Sequence, residues 1–139
     1  MKIMGIDYGD ARTGVAISDL LCSIVGSTTV VPSRNKEKAM ADILRLVQEN
    51  NVGQIVVGLP KNMDGTEGDR VGVIRAFAEI LATLTDIPID FCDERMSTMV
   101  AYRYLGATET FGKKRRDAVD ALSAEIILQS YIDKERNLK

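Results

Sequence analysis

Acidic side chains stand at three places in this sequence where a charge needs a partner. Asp7 ends the apolar run that opens the chain, and Asp93-Glu94 end a later short apolar segment. Asp120 lies at the start of the apolar stripe of the last helical segment. A carboxylate is costly to bury unless it is paired or holds a cation. These positions therefore predict a site that binds a metal ion or a phosphate.

Each acid also has an ordinary structural explanation. Asp7 could accept backbone hydrogen bonds in a tight turn, and Glu94 could pair with Arg95 or Arg12 at the surface. Asp120 could be a partly exposed residue near a helix start. Taken together, three carboxylates at one edge of a sheet would repel each other without a cation. Mg²⁺ and Mn²⁺ prefer such oxygen-rich sites, and two such ions about 4 Å apart can support phosphodiester cleavage.

The composition excludes several other kinds of catalysis. Histidine is absent, which removes Ser-His-Asp and Cys-His arrangements and histidine general bases. The two cysteines, Cys22 and Cys92, have no CxxC spacing and predict neither a zinc site nor a disulfide. If the chain is an enzyme, carboxylates, lysines or metal ions must supply the chemistry.

Hydrophobic periodicity predicts the elements that position these acids. An opening hairpin carries Asp7, and alternating strands and helices follow it. The predicted segments after the hairpin are a strand at 22–32, a helix at 35–50, a strand at 54–60, a helix that ends near 84, a strand at 88–94, a short helix at 97–105, a loop at 106–116 and a closing helix at 117–135.

This order, β-β-β-α-β-α-β-α, predicts an α/β fold with a mixed five-stranded sheet and helices on both faces. Ligands of such sheets gather at the carboxyl ends of the parallel strands, where Asp7 and Asp93-Glu94 fall. In the closing helix a helical spacing places four residues on one face: Asp120, Ala124, Ile127 and Tyr131. Asp120 is predicted to lie in the first turn of that helix, facing the sheet.

The length and the net charge restrict the number of domains, the location and the binding partners that we expect. The 139 residues, 45% hydrophobic and 27% charged, predict one globular domain over 1–139. No apolar run is long enough to span a membrane, and Asp7 and Asp10 interrupt the place of a signal sequence, so we expect a cytoplasmic protein. The net charge of −2 gives no global basic field for nucleic acid.

The sequence nevertheless contains a local concentration of basic residues. Its densest part is the run 113–116, which we place in the loop before the Asp120 helix. Such a run is either a solvated loop or a phosphate-binding patch beside the metal site. The candidate nucleic-acid contacts are Arg12, Lys61, Asn62, Arg95, Lys113, Lys114, Arg115 and Arg116.

Four motifs in order resemble the YqgF/RuvX family, whose members are RNase H-like proteins described as Holliday junction resolvases or pre-16S rRNA nucleases. The similarity runs essentially end to end. The motifs are Gly5-Ile6-Asp7-Tyr8-Gly9 with Arg12-Thr13-Gly14, the stretch from Val57 to Thr66, Asp93-Glu94-Arg95-Met96-Ser97-Thr98, and Val119-Asp120-Ala121 with Ser123-Ala124.

The resemblance implies an RNase H-like fold and a metal-dependent nuclease. It implies that Asp7, Glu94 and Asp120 are catalytic and bind one or two Mg²⁺ or Mn²⁺ ions, with Asp93 as the alternative to Glu94. Better-known RNase H-like resolvases often carry their second acid on the strand that here runs through 55–60, which has none. The implied substrate is structured nucleic acid, either pre-rRNA, with the ribosomal particle as a partner, or a DNA junction, and the chain is a monomer or a homodimer.

Two other classes of protein share parts of this pattern. An Asp-x-Gly start also occurs in actin-like and sugar-kinase ATPases, which enclose ATP between two such domains, whereas 139 residues supply one. A nucleic-acid-binding ribosome-assembly factor could keep the fold without turnover. Metal-dependent cleavage separates a nuclease from both.

Overall fold

The computed structural model describes residues 1–60, 68–93 and 112–137, with side chains of the last stretch described from 120 to 135. Five strands and three helices lie in these ranges. They are β1 Lys2–Asp7, β2 Arg12–Ser18, β3 Val25–Pro32, α1 Lys36–Glu49, β4 Val52–Leu59, α2 Asp69–Leu84, β5 Ile89–Asp93 and α3 Gly112–Asn137.

The strands form one mixed sheet in the order β3-β2-β1-β4-β5. β1 pairs with β2 and β2 with β3 in antiparallel register, whereas β1–β4 and β4–β5 are parallel pairs. The parallel strands β1, β4 and β5 therefore end at the same edge, with Asp7 at the end of β1 and Asp93, opposite Leu59, at the end of β5. The predicted mixed five-stranded sheet is confirmed.

Strand alternation gives the sheet two apolar faces. One face carries Met4 and Ile6 of β1 and packs against α1 and α2, which contribute Ile43 and Ile74 to the same buried cluster. The opposite face carries Ala16 and packs against buried residues of α3: Ala124, Leu128 and Ile132. Helices thus cover both faces, as predicted.

The ends of α1 follow from local side-chain chemistry. The Oδ1 atom of Asn35 accepts a hydrogen bond from the backbone N–H of Lys38 at 3.1 Å, which caps the first turn. Asn50 ends the helix, and Asn51 follows in a left-handed conformation with φ of 52°, which asparagine tolerates better than most residues. The predicted helix at 35–50 is therefore correct to within one residue at each end.

The closing helix differs from its prediction in two respects. α3 begins at Gly112, so the basic run 113–116 belongs to its first turns and the predicted loop through 116 is wrong. Asp120 consequently lies in the third turn of the helix, not the first. An apolar pattern could not locate this start, because the first turns of α3 consist largely of basic residues.

The buried stripe of α3 also differs slightly from its prediction. Ala124 and Ile127 are buried as expected, but Asp120 and Tyr131 are only partly buried. β3 starts at Val25, three residues after the predicted start of the third strand at Cys22. The predicted short helix at 97–105 lies outside the described residues. No helix in the described part of the chain combines the length and the hydropathy needed to cross a membrane.

Candidate metal and nucleic-acid site

Asp7 is the last residue of β1 and faces α3. Alternation along the strand places Asp7 on the same face as Gly5. A Cβ atom at Gly5 would contact Leu128 and Ala124 of that helix. Its partner across the antiparallel ladder is Gly14 of β2. The carboxylate therefore stands at the carboxyl end of β1, beneath the helix that carries Asp120.

Gly14 allows α3 to approach the sheet beside Asp7. A Cβ atom at Gly14 would lie 2.1 Å from the carbonyl oxygen of Asp120 and 3.2 Å from the Cβ of Ala124. No side chain fits in that space, so glycine at this position lets the backbone of Asp120 lie against β2. The backbone that lies in this space is that of α3.

Burial and the neighbouring acid both raise the pKa of the Asp7 carboxyl. Desolvation of the carboxylate is the larger cause and the negative charge of Asp120 the second, and together they raise the pKa of Asp7 from 3.8 to about 7. The positive charge of Arg70 opposes this shift. The structure thus brings together two of the predicted acids, and burial, with the repulsion by Asp120 added to it, favours the protonated form of Asp7 up to near neutral pH.

Arg12 binds the second acid of the pair. Its Nε donates to Oδ2 of Asp120 at 2.8 Å, and both side chains are less than one third exposed, at 29% and 23%. The ion pair joins the start of β2 to α3 across 108 positions of sequence. Arg12 was predicted to contact nucleic acid, and in the structure this nitrogen binds a carboxylate of the site.

The turn between β1 and β2 is held from two sides. Ser33 is buried and directly follows β3; its hydroxyl donates to the carbonyl of Gly9, and its N–H donates to the carbonyl of Ala11 at 3.0 Å. From the other side, Nη2 of Arg70 donates to the carbonyl of Tyr8 at 2.9 Å. The backbone that follows Asp7 is therefore fixed by residues of two other elements.

Arg70 and Ser33 were not among the predicted site residues. Arg70 lies 62 positions from Tyr8 and Ser33 lies 24 from Gly9, and neither belongs to a motif that periodicity or charge patterning detects. Only the folded structure shows that both residues bind the backbone of the turn between β1 and β2.

Several predicted residues lie outside the described part of the chain. They are Lys61, Asn62, Glu94 and Arg95. The backbone of Lys113, Lys114, Arg115 and Arg116 is helical in α3, and their side chains are not described. Asp93 is described, exposed, and on β5.

Strand alternation separates Asp93 from Asp7. Phe91 belongs with the cluster beneath α1 and α2, and Asp93 is two residues along the same strand, so it falls on that face. Asp90, on the other face of β5, accepts a hydrogen bond from the hydroxyl of Tyr131 in α3 at 3.3 Å. Asp7 therefore faces α3, whereas Asp93 is on the opposite side of the sheet.

The carboxylates that are described fit part of a metal site. Within 1–60, 68–93 and 120–135, no group of three or more His, Cys, Asp or Glu side chains is placed to hold an ion. Asp7 and Asp120 supply two hard oxygen donors, and their mutual repulsion is of the kind that a divalent cation relieves. A third ligand would have to come from beyond these residues, from water or from substrate.

The order of the sheet and the placement of α3 define an RNase H-like fold of the resolvase type. The RuvC of Thermus thermophilus, solved with a Holliday junction substrate, matches with a TM-score of 0.58 over 99% of this chain and 96% of RuvC, at 17% identity. The Fowlpox virus resolvase, solved with Holliday junction DNA, matches with a TM-score of 0.57 over 97% of this chain and 99% of its own, at 11% identity.

Sequence comparison gives the family. Residues 1–134 match the family described as "RuvX: Holliday junction resolvase". A protein of Halothermothrix orenii and one of Thermoanaerobacter pseudethanolicus, each named "Putative pre-16S rRNA nuclease", are each 41% identical over 138 residues, 99% of either chain. The chain belongs to the RuvX family, and the resemblance drawn from its four motifs is confirmed.

Proposed function

We propose that residues 1–139 act as a single RNase H-like nuclease domain that hydrolyses phosphodiester bonds of structured nucleic acid in a metal-dependent reaction. The observation that carries this proposal is the pairing of Asp7 with Asp120 at the carboxyl end of β1, where the pKa of Asp7 is raised to about 7. Perturbed carboxylates at strand ends are typical of functional sites.

Asp7, Glu94 and Asp120 are the proposed catalytic ligands of one or two Mg²⁺ or Mn²⁺ ions. A bound cation would remove the repulsion between Asp7 and Asp120 and favour the ionised form of both. Asp93 is the weaker choice for the second ligand, because alternation along β5 places it on the face opposite Asp7. Glu94, its neighbour in sequence, is therefore the preferred ligand.

Divalent ions at such sites supply activation of water and stabilisation of the leaving oxygen when bound. The residues of the chain position the groups around that chemistry. The ion pair with Arg12 fixes the orientation of the Asp120 carboxylate on α3, and the anchored β1–β2 turn fixes the backbone after Asp7. Both acids are thus held in place before substrate arrives, which lowers the entropic cost of assembling the reacting groups.

The basic residues are proposed to hold the nucleic-acid backbone. The run 113–116 lies in the first turns of α3, the helix that carries Asp120 two turns later. Lysine and arginine bind phosphate without reading base sequence, which suits recognition of a structured substrate by shape. Lys61, Asn62 and Arg95 complete the proposed contact set.

The favoured substrate is the 5′ end of pre-16S rRNA. The support for it is the shared name of relatives that match the chain over nearly its whole length. The proposed setting is the cytoplasm, with the precursor ribosomal particle as a partner, and a monomer suffices for a cut in one strand.

A Holliday junction is the second candidate substrate. The family description and the fold shared with RuvC favour it. Symmetric cleavage of two strands requires two active sites, so this alternative requires a homodimer. A non-catalytic ribosome-assembly factor is a third candidate, and it predicts binding that is indifferent to metal and to the acids.

A cleavage assay separates these candidates. The full chain is incubated with pre-16S rRNA 5′ leader RNA and with a four-way DNA junction, with Mg²⁺ and with EDTA. We expect Mg²⁺-dependent cleavage of the RNA, and a loss of about 100-fold or more in Asp7→Asn, Glu94→Gln and Asp120→Asn. Asp42→Asn, on α1 at the other face of the sheet, is the matched control and should retain activity. Full activity in any of the three site variants would contradict the mechanism.

A further inference from the structure

Arg70 binds three parts of the segment that directly follows Asp7. From the first turn of α2, its Nη2 donates to the carbonyl of Tyr8 and its Nη1 to Oδ1 of Asp10, each at 2.9 Å. The guanidinium carbon also lies 5.5 Å from the centroid of the Tyr8 ring. One side chain thus contacts the carbonyl and the ring of Tyr8 and the carboxylate of Asp10.

These contacts are unequal in strength. The side chain of Asp10 is 81% exposed, and exposed ion pairs contribute little. Tyr8 is buried, and its ring stacks on Phe77 of α2 with centroids 4.2 Å apart. A charge-assisted hydrogen bond to the carbonyl of a buried residue is the stronger contact. The contact between Arg70 and Tyr8 is therefore the one that fixes the chain.

The fixed carbonyl belongs to the residue next to Asp7. Rotation of the peptide units around Tyr8 changes the direction in which the Asp7 side chain leaves β1. Ser33 holds Gly9 and Ala11 from the side of β3, whereas the Tyr8 carbonyl accepts its side-chain hydrogen bond from Arg70. Removal of the hydrogen bond from Arg70 therefore loosens the backbone at Tyr8, the residue directly after Asp7.

We propose that Arg70 is a positioning residue for Asp7, which it aims at Asp120 by holding the carbonyl of Tyr8. This inference rests on the proposed metal role of Asp7. The planar fork of arginine reaches Tyr8 and Asp10 together and lies against the Tyr8 ring, which the single ammonium of lysine does not reproduce. Groups that orient metal ligands commonly change metal affinity by 10-fold or more when they are removed.

The charge of Arg70 has the opposite effect on metal binding, and this difference gives the test. A cation close to Asp7 repels an incoming divalent ion, so a purely electrostatic role predicts tighter binding when the charge is removed. A positioning role predicts weaker binding in Arg70→Gln and also in Arg70→Lys, which keeps the charge. A purely structural role predicts a lower melting temperature with unchanged affinity for the ion.

The experiment is a Mn²⁺ titration of the full chain at pH 8, followed by electron paramagnetic resonance, for the wild type, Arg70→Lys, Arg70→Gln and Asp10→Asn. We expect about 10-fold weaker binding in both Arg70 variants and a change of about 2-fold or less in Asp10→Asn. Unchanged or tighter binding in Arg70→Gln overturns the inference, as does wild-type affinity in Arg70→Lys.

A second measurement keeps the inference testable if the proposed function fails. Absence of Mn²⁺ binding in the wild type would refute the metal site itself. Amide hydrogen exchange at Gly9, Asp10 and Ala11 then decides the role of Arg70. We expect exchange about 10-fold faster in Arg70→Lys than in the wild type, and equal rates would overturn the positioning role.

Discussion

Arg12 and Asp120 form an ion pair of 2.8 Å that joins the start of β2 to the third turn of α3. The ion pair brings the positive charge of Arg12 beside Asp120, whose negative charge helps to raise the pKa of Asp7. Arg12 therefore compensates part of the negative charge of the site while no cation is bound. The same contact ties α3 to β2, so one side chain contributes both to the electrostatics of the site and to the attachment of the helix.

Replacement of Arg12 tests this coupling. We expect Arg12→Gln to destabilise the metal-free protein at pH 8 by about 1–2 kcal/mol, because it removes a partly buried charge-assisted hydrogen bond. Mg²⁺ should raise the melting temperature more in the variant than in the wild type, since the ion replaces the lost positive charge. Thermal unfolding with and without Mg²⁺ measures both effects.

Arg45→Gln is the matched control for this experiment. Arg45 is 62% exposed and pairs with Asp42 and Glu49 of its own helix at 3.6 Å, so its loss should cost about 0.5 kcal/mol or less. Equal effects of the two substitutions would show that the pair with Asp120 is an ordinary surface contact.

Protonation of Asp7 predicts how stability depends on pH. Its pKa is about 7 in the folded protein against an ordinary 3.8, so between these values the folded state binds more protons than the unfolded state. Linkage then requires that the contribution of Asp7 to stability falls as the pH rises from about 4 to 7. Asp7→Asn removes the charge, and it should stabilise the metal-free protein at pH 8 by on the order of 2 kcal/mol.

Urea unfolding at pH 8 and pH 5 checks this prediction. The gain in Asp7→Asn should be clearly smaller at pH 5, because only the lower part of the interval between 3.8 and about 7, over which ionisation of Asp7 destabilises the fold, has been crossed there. Asp10→Asn should behave oppositely, because the hydrogen bond from Arg70 lowers the pKa of Asp10, so its contribution is present at neutral pH and lost in acid. A loss of stability in Asp7→Asn at pH 8 would contradict the assignment.

Close packing at Gly14 predicts a large effect of a single methyl group. In Gly14→Ala the new Cβ meets the carbonyl oxygen of Asp120 at 2.1 Å, a backbone contact that no change of rotamer relieves. We expect a loss of about 3 kcal/mol or more in the free energy of unfolding, and weaker Mn²⁺ binding because α3 moves away from Asp7.

Gly72→Ala provides the comparison for that substitution. Nothing lies within 4 Å of a Cβ at Gly72, the fourth residue of α2, so alanine should stabilise the helix by about 0.5–1 kcal/mol. Chemical denaturation of both variants measures the difference. A tolerated alanine at position 14 would show that α3 does not lie against β2 at Asp120.

The basic start of α3 predicts salt-dependent binding of nucleic acid. Replacement of all four residues of 113–116 by glutamine keeps a good helix former at each position and removes four charges. We expect at least 10-fold weaker binding of structured RNA, and a salt dependence that is shallower by about 2 or more in the slope of log K against log salt. Fluorescence anisotropy at several salt concentrations measures both.

Four basic residues elsewhere serve as the control for this change. Arg34, Lys36, Lys38 and Arg45 lie in and just before α1, at the other face of the sheet. Their replacement by glutamine changes the net charge by the same amount. If it weakens RNA binding equally, the net charge of the chain and not the start of α3 determines affinity.

Local patterns in the sequence predicted most of the fold. The helical spacing of Met40, Ile43 and Val47 located α1, and the continuous apolar run of β4 predicted a buried parallel strand. Asp7 was recognisable because a charge that ends an apolar strand is unusual. These features depend on neighbours within a few residues of sequence, which periodicity can detect.

Contacts between distant residues could not be predicted in the same way. The ion pair of Arg12 with Asp120 spans 108 positions, and the contact of Arg70 with Asp10 spans 60. The sequence offered nearer partners for Arg12, including Glu94, and gave no reason to prefer Asp120. The start of α3 was missed because basic residues without an apolar stripe do not distinguish a helix from a loop.

Anomalous diffraction from crystals grown with Mn²⁺ tests the central claim most directly. We predict a peak within about 2.2 Å of carboxylate oxygens of both Asp7 and Asp120, with Glu94 as a third ligand. The peak should disappear in Asp7→Asn. A map without a peak at Asp7, at a Mn²⁺ concentration that supports cleavage of RNA, would contradict the proposal that these carboxylates form the metal centre of a nuclease.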